Sequence, residues 1–92
     1  MCNAPIGVID SGVGGLTILK EIQRQLPGES FVYIGDTENC PYGGRQPDDI
    51  YRLSANLIRR LRDHGAKLAV IACNTISVTC IRQLRADFPD MP

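Results

Sequence analysis

At 92 residues, with ten basic and ten acidic side chains, one histidine and no formal net charge, the chain has the size of one small domain. Folding at this length buries roughly 60–68% of the surface an unfolded chain exposes, and a hydrophobic content of 43% suits a globular protein rather than a disordered one. Balanced charge removes the counterion-release drive for nucleic acid, and the uncharged stretch 68–81 is too short for a bilayer span.

No basic leader with an apolar core opens the chain, so no secretory signal is expected. Cys2, Cys40, Cys73 and Cys80 contain no C-x-x-C pair, and a single histidine leaves no cluster of ligand types, so no metal site is expected. Reduced thiols in a cytoplasmic compartment fit this usage.

The first predicted element is a β-branched apolar run, 6–9, ending at Asp10. A helical stripe follows through Leu16, Leu19, Ile22 and Leu26, stopped by Pro27-Gly28. A second apolar run, 31–34, ends in Gly35-Asp36. The next helix carries Ile50, Leu53, Leu57, Ile58 and Leu61 on one face, with Pro47, Asp48 and Asp49 at its start and Arg59, Arg60 and Arg62 near its end, as the helix dipole favours. A third apolar run, 68–72, ends at Cys73, and a third helical pattern begins after Thr75 and passes through Ile76, Cys80, Ile81 and Leu84. Each apolar run is continuous, as in a strand buried on both faces. Strands alternating with helices over crossovers of this length must be parallel and right-handed. The expected class is α/β, an open parallel sheet with helices on both faces. The pattern stops at Asp90-Met91-Pro92, where a further strand is expected, so the sheet is expected to be incomplete.

Ligands of open parallel sheets bind beyond the carboxyl ends of the strands. Here those ends carry Asp10-Ser11, Asp36-Thr37 and Cys73-Asn74-Thr75, which should converge on one polar crevice. The turn Asp10-Ser11-Gly12-Val13-Gly14-Gly15 matches only two glycines of a dinucleotide fingerprint, with Thr17 at the third position, and lacks a P-loop lysine. Asp10 also places a negative charge where a phosphate would sit. The turn therefore either receives a small anion or carboxylate at the helix start or is a tight turn with Asp10 or Ser11 as cap. The loop around Pro41, Tyr42 and Gly43 is long enough to be functional, its amides open to a small anion and its ring a wall; the alternative is a surface turn. Arg45 could pair with a carboxylate, but a solvated side chain is the favoured expectation. Cys73 ends a buried strand just before a helix that Thr75 is expected to cap, so it is either a packed thiol or one made reactive by the helix N-terminus. Cys80 is expected in the core, Cys40 is a bystander or a second thiol of the crevice, Cys2 carries no signal, and His64 closes a helix end.

Taken together, residues 6–17, then Tyr33-Ile34-Gly35-Asp36-Thr37 with Pro41-Tyr42-Gly43, then Val70-Ile71-Ala72-Cys73-Asn74-Thr75, resemble glutamate racemases in order and spacing. Aspartate and hydantoin racemases of the same superfamily share the paired-cysteine logic. The resemblance implies a flavodoxin-like racemase domain, of which residues 1–92 are the N-terminal portion. It also implies cofactor-free exchange of the α-proton of glutamate between two faces by two cysteines, supplying D-glutamate for peptidoglycan in a homo-oligomeric full-length protein. By the same resemblance Cys73 is one catalytic thiol, Asp10 supports its proton transfer, and Asp10, Ser11, Pro41, Tyr42, Gly43, Asn74 and Thr75 hold the substrate. The family's second thiol sits in a Cys-Thr-His motif that these residues do not contain. The 92 residues alone are therefore expected to be inactive. A related racemase, a hydrolase with Cys73 as nucleophile, or a non-catalytic module binding a small carboxylate are the competing readings.

Overall fold

A computed structural model of the chain describes residues 4–12 and 14–92. Cys2, and Val13 of the glycine-rich turn, lie outside the described residues. Six elements alternate along the chain: β1 (Ile6–Asp10), α1 (Leu16–Gln25), β2 (Phe31–Gly35), α2 (Pro47–Asp63), β3 (Leu68–Ile71) and α3 (Asn74–Asp87). The predicted strands and the first two helices thus stand within a residue or two of their expected places. Pro47 occupies the first turn of α2 with Asp48 and Asp49, and Arg60 and Arg62 lie in its last turn, so the charge pattern is that of the helix dipole. His64 closes α2, its Nδ1 2.8 Å from the Arg60 carbonyl.

The three strands form one parallel sheet in the order β2-β1-β3. From β1 the chain steps to one neighbour and then across to the other. Two right-handed crossovers in opposite directions put α1 on one face and α2 on the other. α3 packs against α2, giving an open α/β sheet with helices on both faces.

The two faces are unequal. α2 buries seven residues, among them Leu53, Leu57 and Leu61, and joins Ile9, Ile34, Ile76, Leu84 and Phe88 in the core. α1 buries none, and Leu16, Ile18 and Leu26 stay more than two-fifths exposed. Only β1 is buried throughout; β2 buries Ile34 alone, and β3 is half-buried. The expectation of strands enclosed on both sides therefore holds for the central strand and fails for its neighbours. Those two lie at the sheet edges, packed against the α2–α3 layer on one face and thinly covered on the other, where α1 buries no residue.

α3 departs from its prediction in two ways. It begins at Asn74, with Cys73 as N-cap in extended conformation, so Thr75 lies inside the first turn and does not cap it. The Cys73 carbonyl already accepts the Ser77 N–H at 3.1 Å, which commits the backbone to helix two residues earlier than the Thr75 signal suggested. The helix also breaks at Cys80, whose φ of −142° is not helical. An apolar groove of about 300 Å3 runs between α3 and the outer edge of β3, lined by Ile58, Ala69, Ile71, Leu84, Phe88 and Met91. It lies apart from the strand ends that carry the polar residues. Among the described residues no helix is long and apolar enough to cross a membrane.

Leu61 is fully enclosed and presses on Gly7 of the central strand, where a Cβ would come within 2.6 Å of it. Leu61→Ala should lower unfolding free energy by about 2–5 kcal/mol, whereas Leu16→Ala on the exposed helix should cost less than about 1 kcal/mol. Urea titration of the two variants measures the difference, and equal costs would contradict the one-sided core.

Candidate active site

The carboxyl ends of the strands meet around Asp10. Asp10 is 4% exposed, and among the described residues its carboxylate takes three donors: the Ser11 N–H at 2.7 Å, the Gly15 N–H, and the Tyr33 hydroxyl at 2.9 Å. Burying a charge is costly unless such donors replace the lost water. The bond to Gly15 lies at the start of α1, where the first amides lack intrahelical partners. Asp10 therefore closes the helix start from the strand, while Gly15 itself is the N-cap residue and makes no side-chain cap bond.

Two glycines are required by this packing. A Cβ on Gly15 would meet Asp10 Oδ2 at 2.9 Å and the Ala72 Cβ at 2.8 Å. One on Gly35 would meet the Gly12 carbonyl oxygen at 2.2 Å, and a backbone atom cannot swing aside. The glycine-rich turn thus lets helix, strand and carboxylate approach closely.

Cys73 reaches the same place from β3. Its Sγ–H points to the Ser11 Oγ at 3.2 Å, joining residues 62 apart in the chain. The Ala72 N–H bonds to the Ile9 carbonyl and the Asp36 N–H to the Asp10 carbonyl, so all three strand ends are tied together just below these side chains. Cys73 is half-buried at the N-terminus of α3, beside exposed Asn74 and half-buried Thr75.

The loop after β2 is held by Asp36. Its carboxylate accepts the Tyr42 hydroxyl at 2.6 Å and the Asn39 side-chain amide at 3.0 and 3.1 Å. Tyr42 is 1% exposed and belongs to the core, while Pro41 and Gly43 on either side face solvent. The Cys40–Pro41 peptide is cis. Arg45 corrects the expectation of a solvated side chain: it pairs with Asp49 at 2.7 Å and donates to the Asn39 carbonyl, bracing the loop against the start of α2. The i,i+4 spacing to an acidic helix start was the available signal.

The other thiols separate clearly. Cys80 is buried, with Sγ 3.6 Å from the Ile76 carbonyl and 3.9 Å from Ser54 Oγ, and burial pushes its thiol up from its ordinary value. It is a packing residue on the core side of α3, as expected. Cys40 is exposed in the loop and abuts Gly12, where a Cβ would lie 3.2 Å from its sulfur. Sequence reasoning passed over Tyr33 and Asn39. Tyr33 carried a usable signal, since a phenol in a strand expected to be buried must find an acceptor.

Both site tyrosines hold their protons tightly. Burial, then the hydrogen bond to Asp10 and its charge, push Tyr33 up to about 12. Burial and the bond to Asp36 raise Tyr42 well beyond the ordinary phenol range. A free tyrosine titrates near about 10. These phenols therefore stabilise the fold fully below about pH 10, and the Tyr33 contribution is lost between about pH 10 and 12. Spectrophotometric titration should show their phenolate absorbance appearing above pH 10, together with unfolding. Ionisation of either at the free-tyrosine value, with the fold intact, would contradict the assigned bonds.

No protein-family model matches the chain. It is 48% identical to the glutamate racemase of Roseiflexus sp. (strain RS-1) over 88 residues, which are 96% of this chain and 32% of that protein. It is 50% identical over 90 residues to that of Pseudomonas entomophila (strain L48), covering 98% of this chain and 34% of the relative. Among solved structures, glutamate racemase from Aquifex pyrophilus superposes with a TM-score of 0.91 at 42% identity, over 96% of this chain and 34% of that one. The enzyme from Thermus thermophilus in complex with beta-chloro-D-alanine gives 0.88 at 47%, over 92% and 33%. The chain is thus homologous to glutamate racemases across nearly all its residues, and it spans about a third of the length of the curated relatives it matches.

Proposed function

We propose that this chain forms one wall of a glutamate racemase active site, the N-terminal portion of an α/β racemase domain whose opposing wall lies outside these 92 residues. The observation that carries the reading is the meeting of Cys73 with Ser11 beside the buried Asp10 carboxylate, in a chain with this homology.

The chemistry follows from what these groups can do. The α-proton of an amino acid is only weakly acidic, so its removal needs a close base and fixed dipoles near the developing carbanion. Cys73, as thiolate, takes the proton from one face of glutamate. The Ser11 hydroxyl, at 3.2 Å, accepts from the thiol and donates to the thiolate, so the same contact serves both protonation states. Asp10 supports that transfer from the adjoining strand end. Ser11, Asn74 and Thr75 hold the substrate from the β1 and β3 sides, and Pro41 and Gly43 from the loop, which the buried Tyr42 between them anchors through Asp36 in place of walling the site with its ring. A second thiol on the opposite face returns a proton. Cys80 is unsuited to that task because it is buried against Ser54 on the same side of the molecule as α2. No cofactor takes part in this scheme. The product, D-glutamate, serves peptidoglycan synthesis in the cytoplasm, and the complete protein is a homo-oligomer.

Two measurements test this reading. The 92-residue chain incubated with L-glutamate in D2O should retain optical rotation and take up no deuterium at the α-carbon. The same chain joined to the remaining two thirds of the Thermus thermophilus enzyme should racemise glutamate without added cofactor, and Cys73→Ala should slow it by about 10²–10⁴-fold. Glutamate binding by the fusion without α-proton exchange, or exchange that survives Cys73→Ala, would refute the proposal. Faster exchange with aspartate would move the substrate to the related racemases.

A further inference from the structure

Tyr33 has no part in the proton-transfer scheme, yet it holds a tightly bounded polar position beside it. It is the one residue of β2 with a polar side chain, in a strand otherwise made of Phe31, Val32, Ile34 and Gly35. In register it pairs with Val8, two residues before Asp10, so it stands on the same face of the sheet as that carboxylate. Its hydroxyl lies 2.9 Å from Asp10 Oδ2 and 3.2 Å from the Gly12 carbonyl. A phenol has one proton to give. The shorter contact and the charged acceptor assign it to Asp10, with the Gly12 carbonyl as a weaker second acceptor. Gly35 leaves room for the ring, since a Cβ there would come within 3.2 Å of Tyr33 Cε1.

The three donors to Asp10 differ in kind. Those from Ser11 and Gly15 come from the turn and from the helix start, both in the segment that follows Asp10 in the chain. Among the described residues Tyr33 alone ties the carboxylate to a different strand. We propose that Tyr33 is a positioning residue of the racemase site: its hydroxyl fixes the rotation of the Asp10 carboxylate, and through it the start of α1 and the backbone of Ser11, the residue whose hydroxyl meets Cys73. This assignment rests on the racemase reading above. Because the phenol keeps its proton far into the alkaline range, it acts as a donor at every working pH.

The test has one arm that needs no activity. In the 92-residue chain, Tyr33→Phe keeps the ring and removes the donor, and hydrogen exchange of the Gly15 amide should accelerate by about tenfold while amides in α2 keep their protection. Unchanged exchange at Gly15 would overturn the proposal, and so would global unfolding of Tyr33→Phe, which would make the hydroxyl a plain structural group. In the fusion with the Thermus thermophilus remainder, Tyr33→Phe should lower kcat by about tenfold with KM within about twofold. In an Asp10→Asn background the same substitution should have little further effect, because its action passes through Asp10. An equal loss in both backgrounds would overturn the proposal. A parent fusion that does not racemise refutes the racemase reading instead, and the Gly15 exchange then decides whether Tyr33 holds Asp10.

Discussion

A buried carboxylate at the end of the central strand organises this structure. Asp10 sits where backbone, helix start and neighbouring strand all approach, and it satisfies its charge with one donor from each. A negative group in that position could be kept only if water were replaced by fixed donors. The surrounding sequence supplies them at a geometric cost, the small residues at Gly15 and Gly35. The base of the polar crevice is thereby braced by hydrogen bonds from three directions.

The thiol stands on this base and not on the core. Cys73 follows β3, and its sulfur reaches back to Ser11 just beyond β1, so the pair bridges two strand ends that the Ala72 bond to Ile9 ties together. Cys80, seven residues further on, faces Ser54 inside the α2–α3 packing. The same residue type thus lies half-buried at the polar strand ends in one place and fully packed in the core in the other, according to whether it precedes α3 or sits inside it.

The unequal faces of the sheet bear on the same division. The α2–α3 side carries the buried apolar layer, whereas α1 leans on the sheet through few residues and keeps Leu16, Ile18 and Leu26 largely open. What holds the start of α1 in place is the Asp10 contact to Gly15, so the helix on the thin side depends on the carboxylate more than on packing.

Strand positions, helix limits and the convergence of Asp10, Asp36 and Cys73 on one edge were legible in the sequence, because apolar period, prolines, glycines and charge placement act over a few residues. The class followed from the alternation alone. The early start of α3, its break at Cys80 and the anchoring of Arg45 on Asp49 were not read, since each depends on how a local segment is held by its neighbours. The partners of the site were beyond sequence altogether. Tyr33 and Asp10 are 23 residues apart and Cys73 and Ser11 are 62 apart, and only the order β2-β1-β3 with its register brings them within hydrogen-bond reach. Sequence by itself determined which chemical groups arrive at the strand ends. Tertiary structure decided which of them touch, because a hydrogen bond needs a distance and a direction that no local pattern encodes.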